Sequence, residues 1–266
     1  MVELMKIRLP KKISLINAKK NIEKIFYLKF KNYKNYLKTF TKIDYIDLYN
    51  LHFIVTQNKR IKVIEFGSGI STFVFSDAME KNFRYFKKMI IKKKKLNNYL
   101  DKKKKILFKL DNYFSVESFE NSKRYFNFQK KILKKNKIMN VKLIKKNCKK
   151  TTLDEIIVFK YNHKGILNSD FIYIDGPGIQ DLPNFDYKKS INPVHIDLLE
   201  IEFNLNPGTI VVVDGLPATI RFFKKKLLRN WKYYSLNNDK QTVMLLNEKS
   251  YGPINTSLLK YYENKS

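Results

Sequence analysis

Val63-Ile64-Glu65-Phe66-Gly67-Ser68-Gly69-Ile70-Ser71-Thr72 is where an apolar run meets two glycines and passes into a helix-forming stretch. Ile61 to Phe66 is short, rich in β-branched residues and bounded by a turn signal, which predicts a strand buried on both faces of a parallel sheet. Ser71 to Met79 is expected to continue as a helix. Glycine has no Cβ, so a Gly-x-Gly turn between such a strand and such a helix lets the backbone close on a ligand. Glu65 stands at the inner end of that strand, where a buried carboxylate is costly unless a cation or a hydrogen-bond donor meets it.

Working outward, the chain alternates between the two periodicities. Tyr113 to Glu117, Val141 to Ile144, Phe171 to Asp175 and Thr209 to Asp214 read as further strands. Helical patterns cover Asp44 to Thr56, Phe119 to Lys135, Ile196 to Phe203 and Ala218 to Leu228. Trp231 to Leu236 and Thr242 to Leu246 flank Asn237-Asn238-Asp239, a hairpin turn signal, so the last strand is expected to run antiparallel. The expectation is an α/β, Rossmann-like three-layer sandwich with a mostly parallel seven-stranded sheet, an antiparallel last strand and added N-terminal helices. Residues 1–43 read as a basic helical extension, with Ile16, Ile22, Ile25, Phe26, Phe30, Tyr33 and Leu37 at helical spacing. Residues 44–247 read as the main domain, interrupted by a lysine-rich insertion at about 81–111, and 248–266 as a tail.

Composition narrows the function classes. The 266 residues are 44% hydrophobic, enough for a packed core, and carry a net charge of +30. Only six of the 54 basic residues are arginine, the residue suited to bidentate phosphate and base contacts. Lysine, asparagine, isoleucine, phenylalanine and tyrosine are abundant while alanine occurs three times, the mark of A/T-rich codons rather than of nucleic-acid binding. Contact with an anionic membrane surface stays open as a second use for the lysines. A single cysteine, Cys148, excludes an internal disulfide, and with three histidines it is too few for a Cys/His zinc site. There is no run of about 18 uncharged apolar residues for a membrane span, and Met1 to Ile13 lacks the apolar core of a secretory signal. A cytoplasmic location is the expectation.

Three further acids fall at predicted strand ends: Glu117, Asp175 and Asp214. Ligands of open α/β sheets bind at those carboxyl ends, and an acid after the second strand can accept both hydroxyls of a ribose. Two features disfavour a pyrophosphate dinucleotide. Thr72 replaces the third glycine of that fingerprint, and Glu117 lies 50 residues beyond Gly67 against about 20 in the fingerprint.

With Glu65-Phe66-Gly67-Ser68-Gly69-Ile70-Ser71-Thr72, Ser115-Val116-Glu117, Tyr173-Ile174-Asp175-Gly176-Pro177 and Val211-Val212-Val213-Asp214 in place, residues 44–247 resemble the class I S-adenosylmethionine-dependent methyltransferases. That family has a seven-stranded sheet whose last strand is antiparallel. The resemblance implies S-adenosylmethionine as cofactor, held by Glu65, Gly67, Ser68, Gly69, Ser71, Thr72 and Glu117. Glu65 would meet its amino-acid end and Glu117 its ribose hydroxyls. Asn147 and Cys148 fall where the family places an adenine contact, without the acid often found there. Asp175 is the first candidate for catalysis and Asp214 the second. Together they resemble the metal-dependent O-methyltransferases, but Gly215 stands where those have a third ligand, so no metal is expected. His163 and His195 read as surface or helix-capping residues ahead of bases, and His52 as a packing residue.

The expected activity is methyl transfer to a small molecule or a glycan-type acceptor. The competing readings are a non-catalytic binding or scaffold protein that keeps the fold, a basic nucleic-acid-binding protein, and a nicotinamide oxidoreductase.

Overall fold

The computed structural model describes residues 7–30, 33–40, 42–94, 114–161, 169–177, 194–236 and 240–249. Seven strands form one sheet: β1 (Lys62–Phe66), β2 (Ser115–Glu120), β3 (Val141–Lys145), β6 (Phe171–Ile174), β8 (Ile210–Asp214), β9 (Trp231–Leu236) and β10 (Gln241–Leu246). Their order is β3-β2-β1-β6-β8-β10-β9. All neighbours are parallel except β10, which slots between β8 and β9 and runs antiparallel to both. The seven expected strands are therefore all present, with the antiparallel strand where the resemblance put it.

Strand β1 lies beside β2 and β6 and is apolar along most of its length because both faces are covered. On one face pack α3 (Tyr45–Gln57), capped by Asp44, and α4 (Ile70–Lys94). They bury Leu51, Ile54, Phe75 and Met79 against Val63, Val116 and Val212. The same α4 turns Phe73 and Val74 outward toward α1 (Leu15–Lys29), α2 (Tyr33–Leu37) and α5 (Lys123–Lys135). Ser14 and Ser122 accept the N–H groups of Asn17 and Tyr125 and so cap α1 and α5.

The opposite face carries α6 (Asp197–Ile201), α7 (Pro217–Lys226) and a second sheet that sequence reading missed. This sheet joins β4 (Cys148–Leu153), β5 (Ile156–Tyr161) and β7 (Val194–His195) in the order β4-β5-β7. Its hairpin turns on Asp154 and Glu155, both at positive φ. A two-residue turn of that kind ordinarily announces itself by Asn-Gly or Asp-Gly. Here it has no glycine, and the solvent side of β4 reads as lysine and threonine.

Boundaries differ in one place that matters. The second strand runs to Glu120 instead of stopping at Glu117. The turn at 237–239, much of the 81–111 insertion, and the tail from 250 lie outside the described residues, whereas the start of that insertion continues α4 to Lys94.

Candidate functional site

The carboxyl ends of β1, β2, β6 and β8 meet at one edge, and backbone bonds stitch the first three together. Gly67 N–H donates to Phe119 O (3.0 Å) and Asp175 N–H to Phe66 O (3.1 Å). Gly67 has φ +96°, and a Cβ there would stand 3.0 Å from both Cα and N of Gly176. The two glycine turns therefore touch backbone to backbone, which no side chain at position 67 permits. Gly69 is different. Among the described residues a Cβ at that position would meet nothing nearer than Ser71 Oγ at 3.8 Å, so their packing does not require its bareness.

Glu65 is wholly buried and accepts three hydroxyl bonds: from Ser71 (2.5 Å), Thr72 (2.6 Å) and Ser118 (2.6 Å). Burial raises its carboxyl from 4.5 to about 7, against the lowering effect of those three donors. The side chain has no exposed surface, and its two oxygens are shared among those three hydroxyls. It pins the start of α4 to β2. Thr72 is the hinge of that pin: its hydroxyl also accepts from Gly69 N–H at 3.1 Å.

Side chains alternate along a strand, and Ser118 faces Glu65, so Glu120 shares that face while Glu117 does not. Glu120, at the tip of β2, accepts from Ser68 N–H (3.2 Å), Ser68 hydroxyl (2.5 Å) and Ser122 N–H (2.7 Å). Glu117 lies mid-strand on the other face, with Lys62 and Lys142 each at 3.6 Å. The acid at the edge is therefore Glu120. The misplacement has a local cause: Ser118 reads as a strand-ending polar residue, but it is polar because Glu65 requires a donor.

Across the edge, Asp214 is buried and accepts from Tyr173 hydroxyl (2.9 Å) and Gln241 amide (3.0 Å), with Asn50 behind Gln241 at 3.2 Å. Burial raises its carboxyl, those two donors lowering it. Asp175 is raised further, first by the protein crowded around it and then by the carboxylates of Asp214 and Glu65. Asp175 is nevertheless exposed, just past the end of β6.

The remaining candidates fall elsewhere. Cys148 opens β4 within the core, its thiol pushed up by burial, and its N–H donates to Asn121. Asn147 is exposed and receives Lys145 Nζ at 2.9 Å. His195, expected as a surface or helix-capping residue, is buried in β7 with Nε2 3.0 Å from Asp197, the first residue of α6. His52 does pack in α3, held by Asp77 at 2.9 Å, and burial lowers its pKa. His163 lies outside the described residues. Among the described residues no three His, Cys, Asp or Glu side chains gather as a metal site.

No family model and no curated protein matches the sequence. Solved structures do resemble the chain. One is a methyltransferase from Geobacter sulfurreducens, 10% identical, matched over 89% of this chain and 90% of its own, with TM-score 0.44. Another is a caffeoyl-CoA O-methyltransferase, so named provisionally, from Staphylococcus aureus, 11% identical over 88% and 100%, TM-score 0.48. A third is an O-methyltransferase from Bacillus cereus in complex with SAH, 11% identical over 90% and 92%, TM-score 0.44.

Proposed function

We propose that the protein transfers a methyl group from S-adenosylmethionine to an acceptor, of which a small molecule or a sugar of a glycan precursor is the class. The observation that carries this reading is the meeting of the Gly67-Ser68-Gly69 turn with Glu120 at the tip of β2. A carboxylate there already accepts a hydroxyl, that of Ser68. The hydroxyl pair of a nucleoside ribose offers the same donor chemistry and would take its place. Thr72 supports the choice of nucleoside over dinucleotide. The pyrophosphate turn wants a glycine there, whereas this chain uses the Thr72 hydroxyl to tie Gly69 to Glu65.

The residues fit the cofactor. Gly69 lacks a side chain that its own surroundings would accommodate, which keeps the turn open to a ligand. Gly67, Ser68, Gly69 and Glu120 would hold the nucleoside, while Glu65, Ser71 and Thr72 keep the turn in shape from beneath. When bound, S-adenosylmethionine supplies a methyl group on a sulfonium, ready for in-line displacement. The chain's own part is to orient the acceptor and remove its proton. Asp175 is the candidate for that role, since it is exposed just past the carboxyl end of β6. Asp214 is a positioning residue that holds Tyr173 and Gln241 beside it.

Titration calorimetry on the full chain tests the reading. S-adenosylmethionine and S-adenosylhomocysteine are expected to bind at one site and NAD to give no heat. Binding of NAD alone, or of none of the three, would overturn it.

A further inference from the structure

The outer face of α1 carries apolar side chains that the described residues leave largely exposed, although Tyr27 meets the ring of Tyr33 edge-on. Ile16, Lys20, Lys24 and Tyr27 share one side of the helix by their spacing. The other side buries Ala18, Ile22, Ile25 and Phe26. Ile16, expected in the packed stripe, is 79% exposed, and Tyr27 and Leu28 are 68% and 69% exposed. Between α1 and Tyr33 of α2 the surface forms an open depression of about 630 Å³, bordered by Lys19, Lys20 and Lys24 with Glu23 as its one acid.

We propose that this face docks the protein peripherally on an anionic lipid bilayer. Ile16, Tyr27 and Leu28 enter the headgroup layer, while Lys20 and Lys24 meet lipid phosphates. Three lysines against one acid select an anionic partner, and a second copy of the chain would bring the same lysines into repulsion. Nucleic acid answers the charge but not the aliphatic tips, and α1 has no arginine for bidentate phosphate contact. A bilayer surface answers both. It offers an apolar layer beneath a layer of phosphates, and lysine stems lie along the first while their ammonium groups reach the second. Among the described residues no helix is long and apolar enough to cross a membrane, so the contact is superficial. Lys19 stands 5.8 Å over the ring of Tyr45, next to Asp44, which Lys240 holds at the start of β10. The docking stands independently of methyl transfer.

Flotation of the full chain with vesicles of phosphatidylcholine containing about one-third phosphatidylglycerol, against pure phosphatidylcholine, tests it. The protein is expected to float with the anionic vesicles only. Ile16→Ser/Tyr27→Ser/Leu28→Ser, which keeps the net charge, is expected to weaken partitioning at least tenfold, and Lys20→Glu/Lys24→Glu to do the same. Lys149→Glu/Lys225→Glu, an equal charge change on exposed lysines elsewhere, is expected to change it less than twofold. All variants are checked for an unchanged Tm, because the altered side chains are exposed. Three results would overturn the proposal: no flotation, flotation indifferent to the apolar triple variant, or equal losses in both charge variants. Retention on a nucleic-acid oligomer in place of vesicles, lost with Lys20→Glu/Lys24→Glu, would assign the face to nucleic acid instead.

Discussion

The two halves of the sheet's carboxyl edge treat their acids in opposite ways. On the β1–β2 side, Glu65 has no exposed surface and three hydroxyl donors, and Glu120 binds the backbone and side chain of the turn above it. On the β6–β8 side, Asp214 is held by Tyr173 and Gln241, while Asp175 opens to solvent with its carboxyl raised. A buried acid saturated with donors is part of the scaffold, because its hydrogen bonds are already committed. An exposed acid at the end of a strand keeps its oxygens open to a partner from solvent. On the proposed reading the first half cradles the cofactor and the second receives the acceptor.

The largest expected effect tests the cradle. Gly67→Val forces a β-branched side chain into positive φ and against the Gly176 backbone, and is expected to cost about 4 kcal/mol in denaturant unfolding. Gly69→Ala, two residues on, meets only an ordinary contact with Ser71 Oγ among the described residues and is expected to leave the unfolding midpoint unchanged while removing ligand binding. Equal stability losses at both positions would erase the distinction between a glycine that packs and a glycine that makes room.

Glu65→Ala strands three hydroxyls in a buried pocket and is expected to cost about 3 kcal/mol. Glu65→Gln keeps the shape, and a hydroxyl can turn to accept from the amide, so its cost is expected to stay near 1 kcal/mol, again about the size of a single hydrogen bond. Asp175→Asn is expected to lower turnover about 100-fold with little change in Tm. A variant that unfolds instead would make Asp175 a scaffold acid like Glu65.

A further effect is in pH. Glu65 goes from 4.5 to about 7 on folding, so between those values the folded state holds a proton that the unfolded state has lost. Its contribution is therefore most favourable at and below about pH 4.5 and declines as pH rises through about 7. Stability measured against pH is expected to fall more steeply in the parent than in Glu65→Gln across that window, and to run parallel above it.

Much of this was legible in the chain, and the exceptions have physical causes. The seven main strands announce themselves because covering both faces demands apolar β-branched runs, as in Ile210–Asp214. The β4–β5 hairpin does not, because one side of it faces solvent and its turn is built from Asp154 and Glu155 without glycine. The glycine turn, Glu65, Asp175 and Asp214 do lie at the carboxyl edge of the sheet, as the strand reading predicts. Glu120 was missed because its neighbour Ser118, polar for the sake of Glu65, hides the last turn of the pleat. The spacing of Val116, Ser118 and Glu120 on one face was the signal that would have found it.

The central claim is that Glu120 and the turn it holds form a nucleoside site, and the two acids of β2 give the most direct test. Thermal unfolding with saturating S-adenosylhomocysteine is predicted to raise the Tm of the parent and of Glu117→Ala, since a ligand that binds only the folded state stabilises it. Glu120→Ala is predicted to show no rise. A parent unaffected by the ligand, or a rise lost with Glu117→Ala and kept with Glu120→Ala, would contradict the account.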